Sequence, residues 1–383
     1  MYPLLLGGLQ YVGPAYESAR EDIRRQYPKL NFTQTFIYGE NAPYSDWIAQ
    51  YENVLAYYYY KIRQTSSQGT LHVTAFVMAG GDDTIGSGRF ATELDKLLIS
   101  SAAQAPDFRN KEKWPTWITT AAISNTAIRR LYENLIPLFN WWTSVIVCDI
   151  NSNIFFQVVS EYIRQALVTV VAAKGQVTRV AFDSRTVKPS YYGELMRQLK
   201  ESARESLRKI LIFLAFLPFR HASFGDFHYG LPATNGSSTT EIVKAASKCL
   251  LIMEPLREPD GESTKALQSI WKRRSKELDN NTYIYGTGEK MSPHPTATYI
   301  SMMALAEVLE EIRQETSLTN AGNNNDDAFS GRKIAARFLN RTLVNGKTEV
   351  LTIDRVGERI IPMAITQLDL ETGSVSVRFL TST

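Results

Sequence analysis

Ser144-Val145-Ile146-Val147-Cys148, entered from the amphipathic segment Thr126 to Phe139, is the stretch on which the fold class turns. Asn125 can cap that segment and Pro137 near its end predicts a kink, so it reads as a helix feeding a strand. The strand is apolar at successive positions, which is the pattern of a strand covered on both faces. Outward from it the same alternation repeats. Leu71 to Val77, Trp117 to Thr120, Val177 to Phe182, Ile210 to Phe216 and Cys249 to Met253 read as further strands. Between them lie amphipathic stretches. Tyr16, Ala19, Ile23 and Tyr27 recur at helical spacing, Ser190 to Arg208 carries mixed charges, and Thr296 to Gln314 has a broad apolar stripe. Alternating strands and helices predict an α/β fold with open, mostly parallel sheets. After the polar segment Thr316 to Asp327 the pattern turns to antiparallel β, in Thr348 to Asp354 and Gly373 to Phe379.

The 383 residues exceed one ordinary core, so two lobes are expected. Hydrophobic content of 44% and charged content of 21% are globular values, and a net charge of +3 gives no electrostatic ground for nucleic acid or an anionic membrane as partner. No apolar run reaches the roughly 18–20 residues that cross a bilayer. Leu4-Leu5-Leu6, broken by Gly7-Gly8, does not read as a signal peptide. Cys148 and Cys249 both sit in apolar runs and read as buried strand cysteines, with a single long-range bridge between them as the alternative. Four glycosylation sequons, at Asn31, Asn235, Asn280 and Asn340, lie in polar or turn-like surroundings and tilt the expected compartment toward the secretory route and the cell exterior.

No catalytic motif emerges. Gly86-Ser87-Gly88 is too short for a nucleophile elbow and, like Gly286-Thr287-Gly288, reads as a glycine loop without the Lys-Ser/Thr of a P-loop. Among His72, His221, His228 and His294 no pair has zinc-site spacing. Asp82-Asp83 reads as a solvated acidic turn. Lys272-Arg273-Arg274 with Lys276 reads as a solvated face around Trp271. Tyr57 to Tyr60 cannot all face one side of a helix, so at least one belongs at the surface. No cofactor, metal or enzyme activity is expected of this chain.

Several patterns, in order, resemble the ligand-binding ectodomains of natriuretic peptide receptors and other receptor guanylyl cyclases, above all the divergent nematode members. They are Gly13-Pro14-Ala15-Tyr16, Ala91-Thr92-Glu93-Leu94, Pro115-Thr116-Trp117-Ile118, Leu138-Phe139-Asn140-Trp141, Thr298-Tyr299, Phe329-Ser330-Gly331, and Gly346 to Gly357-Glu358-Arg359. Little of the family's first strand remains ahead of Gly13, and Gly80 to Thr84 lacks the cysteine usual at that turn, so the family's chloride site and disulfide loop do not carry over. The resemblance implies a two-lobed fold like that of type I periplasmic binding proteins. Lobe one would span 1–140 and 255–327, and lobe two 141–254 and 328–383. It implies an extracellular sensor, working as a homodimer, for a peptide or small-molecule ligand; the alternative is a secreted, anchorless protein that sequesters a ligand. Because ligands in open α/β sheets sit beyond the carboxyl ends of strands, the cleft residues expected are Gly81, Asp82, Thr84, Thr119, Thr120, Asp149 and Asn151.

Overall fold

The computed structural model describes residues 8–37, 52–61, 73–79, 84–102, 106–122, 124–149, 154–171, 174–182, 194, 197, 209–214, 251–255, 261–278, 291, 293–318, 328–344, 347–368 and 375–381. The architecture is mixed helix and strand with parallel sheets, and the described strands form no closed barrel. The chain divides into two compact units, one of 1–124, 257–286 and 290–360, the other of 125–256, 287–289 and 361–383. Residues 125–140 thus fall in the second unit and 328–360 in the first, the reverse of the expected lobe boundaries. Their packing explains both: the helix after Ser124 buries Leu131 and Leu135 against Met363 and Ile365, while Ile334 and Phe338 join the core of the first sheet.

In the first unit, helix α1 (Leu9–Gln26) begins four residues ahead of Gly13, so the segment read as the remnant of a strand is helical from Leu9. Pro14 sits inside it and removes one main-chain donor. The helix buries Tyr11, Val12, Ala15, Tyr16, Ala19 and Ile23, and Pro28 follows its end. Helix α2 (52–61) presents Tyr57 and Tyr60 to solvent, 61% and 53% exposed, while Tyr59 is buried edge-on to Phe90. Strand β1 (Ala75–Met78), helix α3 (Thr84–Glu93), strand β2 (Leu97–Ser100) and strand β3 (Trp117–Thr119) follow, and the three strands form a parallel sheet in that order. Gly86-Ser87-Gly88, expected as a loop, lies within α3: a Cβ at Gly88 would stand 2.6 Å from the Phe108 ring, so the glycine is there to let that ring approach.

The second unit opens with helix α4 (Asn125–Phe139), strand β4 (Thr143–Asp149), helix α5 (Ile154–Val171), strand β5 (Gln176–Phe182), strand β6 (Lys209–Leu214) and strand β7 (Leu251–Pro255). Strands β5, β4 and β6 form a parallel sheet with β4 in the middle. Ile146 packs there with Tyr132, Ile136, Ile163 and Leu167 from α4 and α5.

Two long helices return to the first unit. Helix α6 (Glu262–Leu278) buries Trp271 completely in the core beside Tyr299, and its Arg274 reaches Glu21 of α1 at 3.0 Å. Helix α7 (Pro293–Leu318) lies between two clusters. Ile300, Ala304, Val308 and Ile312 face the sheet, and Tyr299, Met302, Met303 and Ala306 face α1 and α6. Burial on two sides is why its apolar stripe is so broad. Helix α8 (Gly331–Ala336) is capped by Ser330, and a Cβ at Gly331 would meet the Lys96 backbone at 2.4 Å. Strands β8 (Arg341–Leu343) and β9 (Leu351–Ile353) then pair antiparallel. In the second unit, strand β10 (Met363–Leu368) pairs antiparallel with both β7 and strand β11 (Val375–Thr381). The described part of the strand expected at Cys249 to Met253 belongs to an antiparallel sheet. Among the described residues no helix is long and apolar enough to cross a membrane.

Candidate functional site

Strands β1, β2 and β3 point one way, so their carboxyl ends meet at one edge. The edge is polar and closed. Ser100, Ser101, Thr119 and Thr120 are all at most 3% exposed. Thr119 Oγ1 donates to Ser100 O at 2.8 Å and Ala121 N donates back to Thr119 Oγ1 at 3.1 Å. Thr120 Oγ1 bonds Ser301 Oγ and lies 3.1 Å from Ala297 O, while Ser101 Oγ bonds Thr298 Oγ1 at 2.9 Å. The hydroxyls thus stitch the strand ends to the first turns of α7. His294, in the first of those turns, has its pKa held down at about 4 by burial, against a hydrogen bond with the Ser101 backbone that raises it.

A turn from the far end of the chain completes this edge. Asp354 Oδ1 accepts from Val356 N at 2.9 Å and Glu358 N at 2.8 Å. Gly357 takes φ +81°, open to glycine at no steric cost, and its carbonyl accepts from Thr119 N at 2.8 Å. The backbone bridge between Thr119 and Glu358 is parallel, so the turn adds to the sheet beside β3. Glu358 and Arg359 are both buried. The Glu358 carboxylate accepts from Arg109 Nε at 2.6 Å and from Ser124 Oγ. Arg359 donates to Glu349 at 2.6 Å and to Thr120 O at 3.4 Å. Lys111 donates to Trp117 O and stands 4.8 Å over the Trp117 ring; burial draws its pKa down to about 8, with Asp354 opposing.

The second unit offers a different edge. In the order β5-β4-β6 the chain steps from β4 to β5 on one side and returns past β4 to β6 on the other. The carboxyl end of β4 is therefore a topological switch point of the strand order, the place beyond which open α/β sheets hold their ligands. Asp149 is the last residue of β4 and pairs with Phe182 of β5.

Of the expected cleft residues, Thr119 and Thr120 lie at the first edge with their hydroxyls bonded to protein partners, Thr84 is the first residue of α3, and Asp149 ends β4. Gly81, Asp82 and Asn151 lie outside the described residues, as do His72, His221, His228, Cys249, Asn235, Asn280 and Gly286-Thr287-Gly288. Cys148 is buried in β4 as expected of a strand cysteine. Asn31 and Asn340 are both exposed, with φ +45° and +53°. Sequence reasoning did not find Arg109, Ser124, His294 and Glu349 as members of the first edge. Nothing in the local pattern of Arg109, Ser124 or His294 marks them, because each reaches its partner only across the fold, whereas Glu349 meets Arg359 within the terminal segment. Among the described residues no group of three or more His, Cys, Asp or Glu is placed to hold a metal ion. The chain matches no protein-family model and no curated protein.

Proposed function

We propose that this chain is the extracellular ligand-binding sensor of a receptor of the guanylyl-cyclase type, built as a two-lobed fold of the type I periplasmic-binding kind. The observation that carries this proposal is the strand order β5-β4-β6, all parallel, with its switch point at the end of β4. In sheets of this kind ligands sit beyond such a strand end, which is the ground for reading Asp149 as a ligand contact. The Gly357-Glu358-Arg359 turn of the first unit supports the family reading. It resembles the family's terminal segment and is held by its own backbone against β3. A ligand that binds one arrangement of the lobes more tightly than another shifts their populations, and a domain downstream reads the shift. The homodimer of this proposal uses the α2 face that carries Tyr57 and Tyr60. No catalysis is assigned to the chain.

Sequencing the full-length transcript in both directions from this segment tests the proposal. A secretory leader upstream, with a membrane span and a cyclase domain downstream, is the result expected. A stop codon soon after Thr383 would replace the receptor with a secreted protein that sequesters its ligand.

A further inference from the structure

Two of the four sequons can be placed, and both serve one face of the first unit. Asn31 closes the 3-10 turn Pro28–Leu30 in left-handed conformation, with Leu30 and Phe32 on either side packed into the core and Asn31 and Thr33 exposed. Asn340 repeats the arrangement. It is exposed in left-handed conformation just before β8, flanked by Leu339, which packs against the same cluster. Asparagine is among the few residues that take this conformation readily, and in it the side chain leaves a turn whose neighbours anchor it. Both turns stand along one stretch of α7. The Lys29 charge acts on Glu310, while Arg341 pairs with Glu311 and lies 3.7 Å from Glu307; Arg337 pairs with Glu315 one turn on.

We propose that Asn31 and Asn340 both carry N-linked oligosaccharides, and that the two together cover the charged row of α7 from Glu307 to Glu315 and keep it facing solvent. This rests on the extracellular reading, since the donor is a lipid-pyrophosphate-linked oligosaccharide of the secretory route. The asparagine carboxamide nitrogen bonds to the anomeric carbon of that donor, the amide gives up a proton and the lipid pyrophosphate leaves. Thr342 must act as the sequon hydroxyl before β8 and β9 pair, because in the folded unit its Oγ1 lies 3.1 Å from Thr352 Oγ1. The covered row is charged and ion-paired along its length, the character of a surface that stays wet rather than one that docks.

The test is to express the whole chain behind a cleavable secretory leader in cultured eukaryotic cells and recover it from the medium. Peptide-N-glycosidase release in heavy-oxygen water then marks each occupied asparagine by mass. Heavy-oxygen aspartate at both 31 and 340 is expected, with Thr33→Ala and Thr342→Ala each erasing one mark and Thr33→Ser retaining it. Secreted protein with either asparagine unmarked overturns the assignment. For the shielding, an amine-acetylating reagent should label Lys29 several-fold more slowly in the glycosylated chain than in the Thr33→Ala/Thr342→Ala double variant, with Lys276 as the internal reference. Equal labelling of Lys29 overturns the cover. A transcript ending soon after Thr383 would remove the receptor reading and leave the glycan result standing, so the two failures are separable.

Discussion

The two parallel sheets end differently. At the carboxyl edge of β1-β2-β3, hydroxyls from Ser101, Thr119 and Thr120 are taken up by α7 and by main-chain carbonyls, and the buried Glu358 carboxylate is held by Ser124 and the half-buried Arg109. At the carboxyl edge of β5-β4-β6 the strand order reverses at β4, whose last residue is Asp149. The first edge is built for stability and the second has the topology of a binding crevice. The general rule that ligands sit beyond strand ends cannot tell these apart. It nominates Thr119 and Asp149 alike, and only the strand order and the fate of each hydroxyl separate them.

The sharpest way to break this contrast is Glu358→Ala. It leaves the Arg109 guanidinium without its carboxylate and should lower the stability of the first unit by about 3–5 kcal/mol, read from the urea midpoint. A loss under about 1 kcal/mol would mean the first edge is not held by this group. Acid is the next largest perturbation. With His294 depressed to about 4 from an ordinary 6.5, its contribution is complete above pH 6.5 and is lost as pH falls through 4. Over that window the wild-type chain should lose roughly 2–3 kcal/mol more than His294→Gln. Parallel curves for the two proteins would show that His294 is not held neutral by the fold. Thr120→Val should cost about 1–2 kcal/mol, because Ser301 and the strand end lose a buried partner. Asp149→Ala, at the other edge, should cost least, within about 0.5 kcal/mol. If thermal melting shows a loss as large as that of Glu358→Ala, the two edges are alike after all.

How much of this was legible follows from how local each signal is. Strands β4, β5 and β6 are seven, seven and six residues long, and their apolar runs stood out at once. Strand β2 went unread although Leu97 to Ile99 are completely buried. It is four residues long and follows α3 after a left-handed Asp95, at a helix end where glycine or asparagine is the usual mark. Gly86-Ser87-Gly88 read as a loop because the rings of Phe108 and Trp114 that require Gly88 come from a later segment. The same reason hides the first edge. Glu358 could be quoted from a turn, but its partners Arg109 and Ser124 lie 249 and 234 residues away. Ion pairs across the fold leave no periodicity to read.

That separation has a consequence during synthesis. Leu97, Ile99 and Ile118 share a core with residues as late as Leu351 and Ile353. A ribosome adding about 5–20 residues per second therefore holds the first sheet incomplete for on the order of 10–50 s. Over that interval the strands β4, β5 and β6 have already emerged. The apolar strands of the first sheet must wait, exposed, for helix α7 and the 354–359 turn to arrive, so the sheet begun first is closed only near the end of the chain.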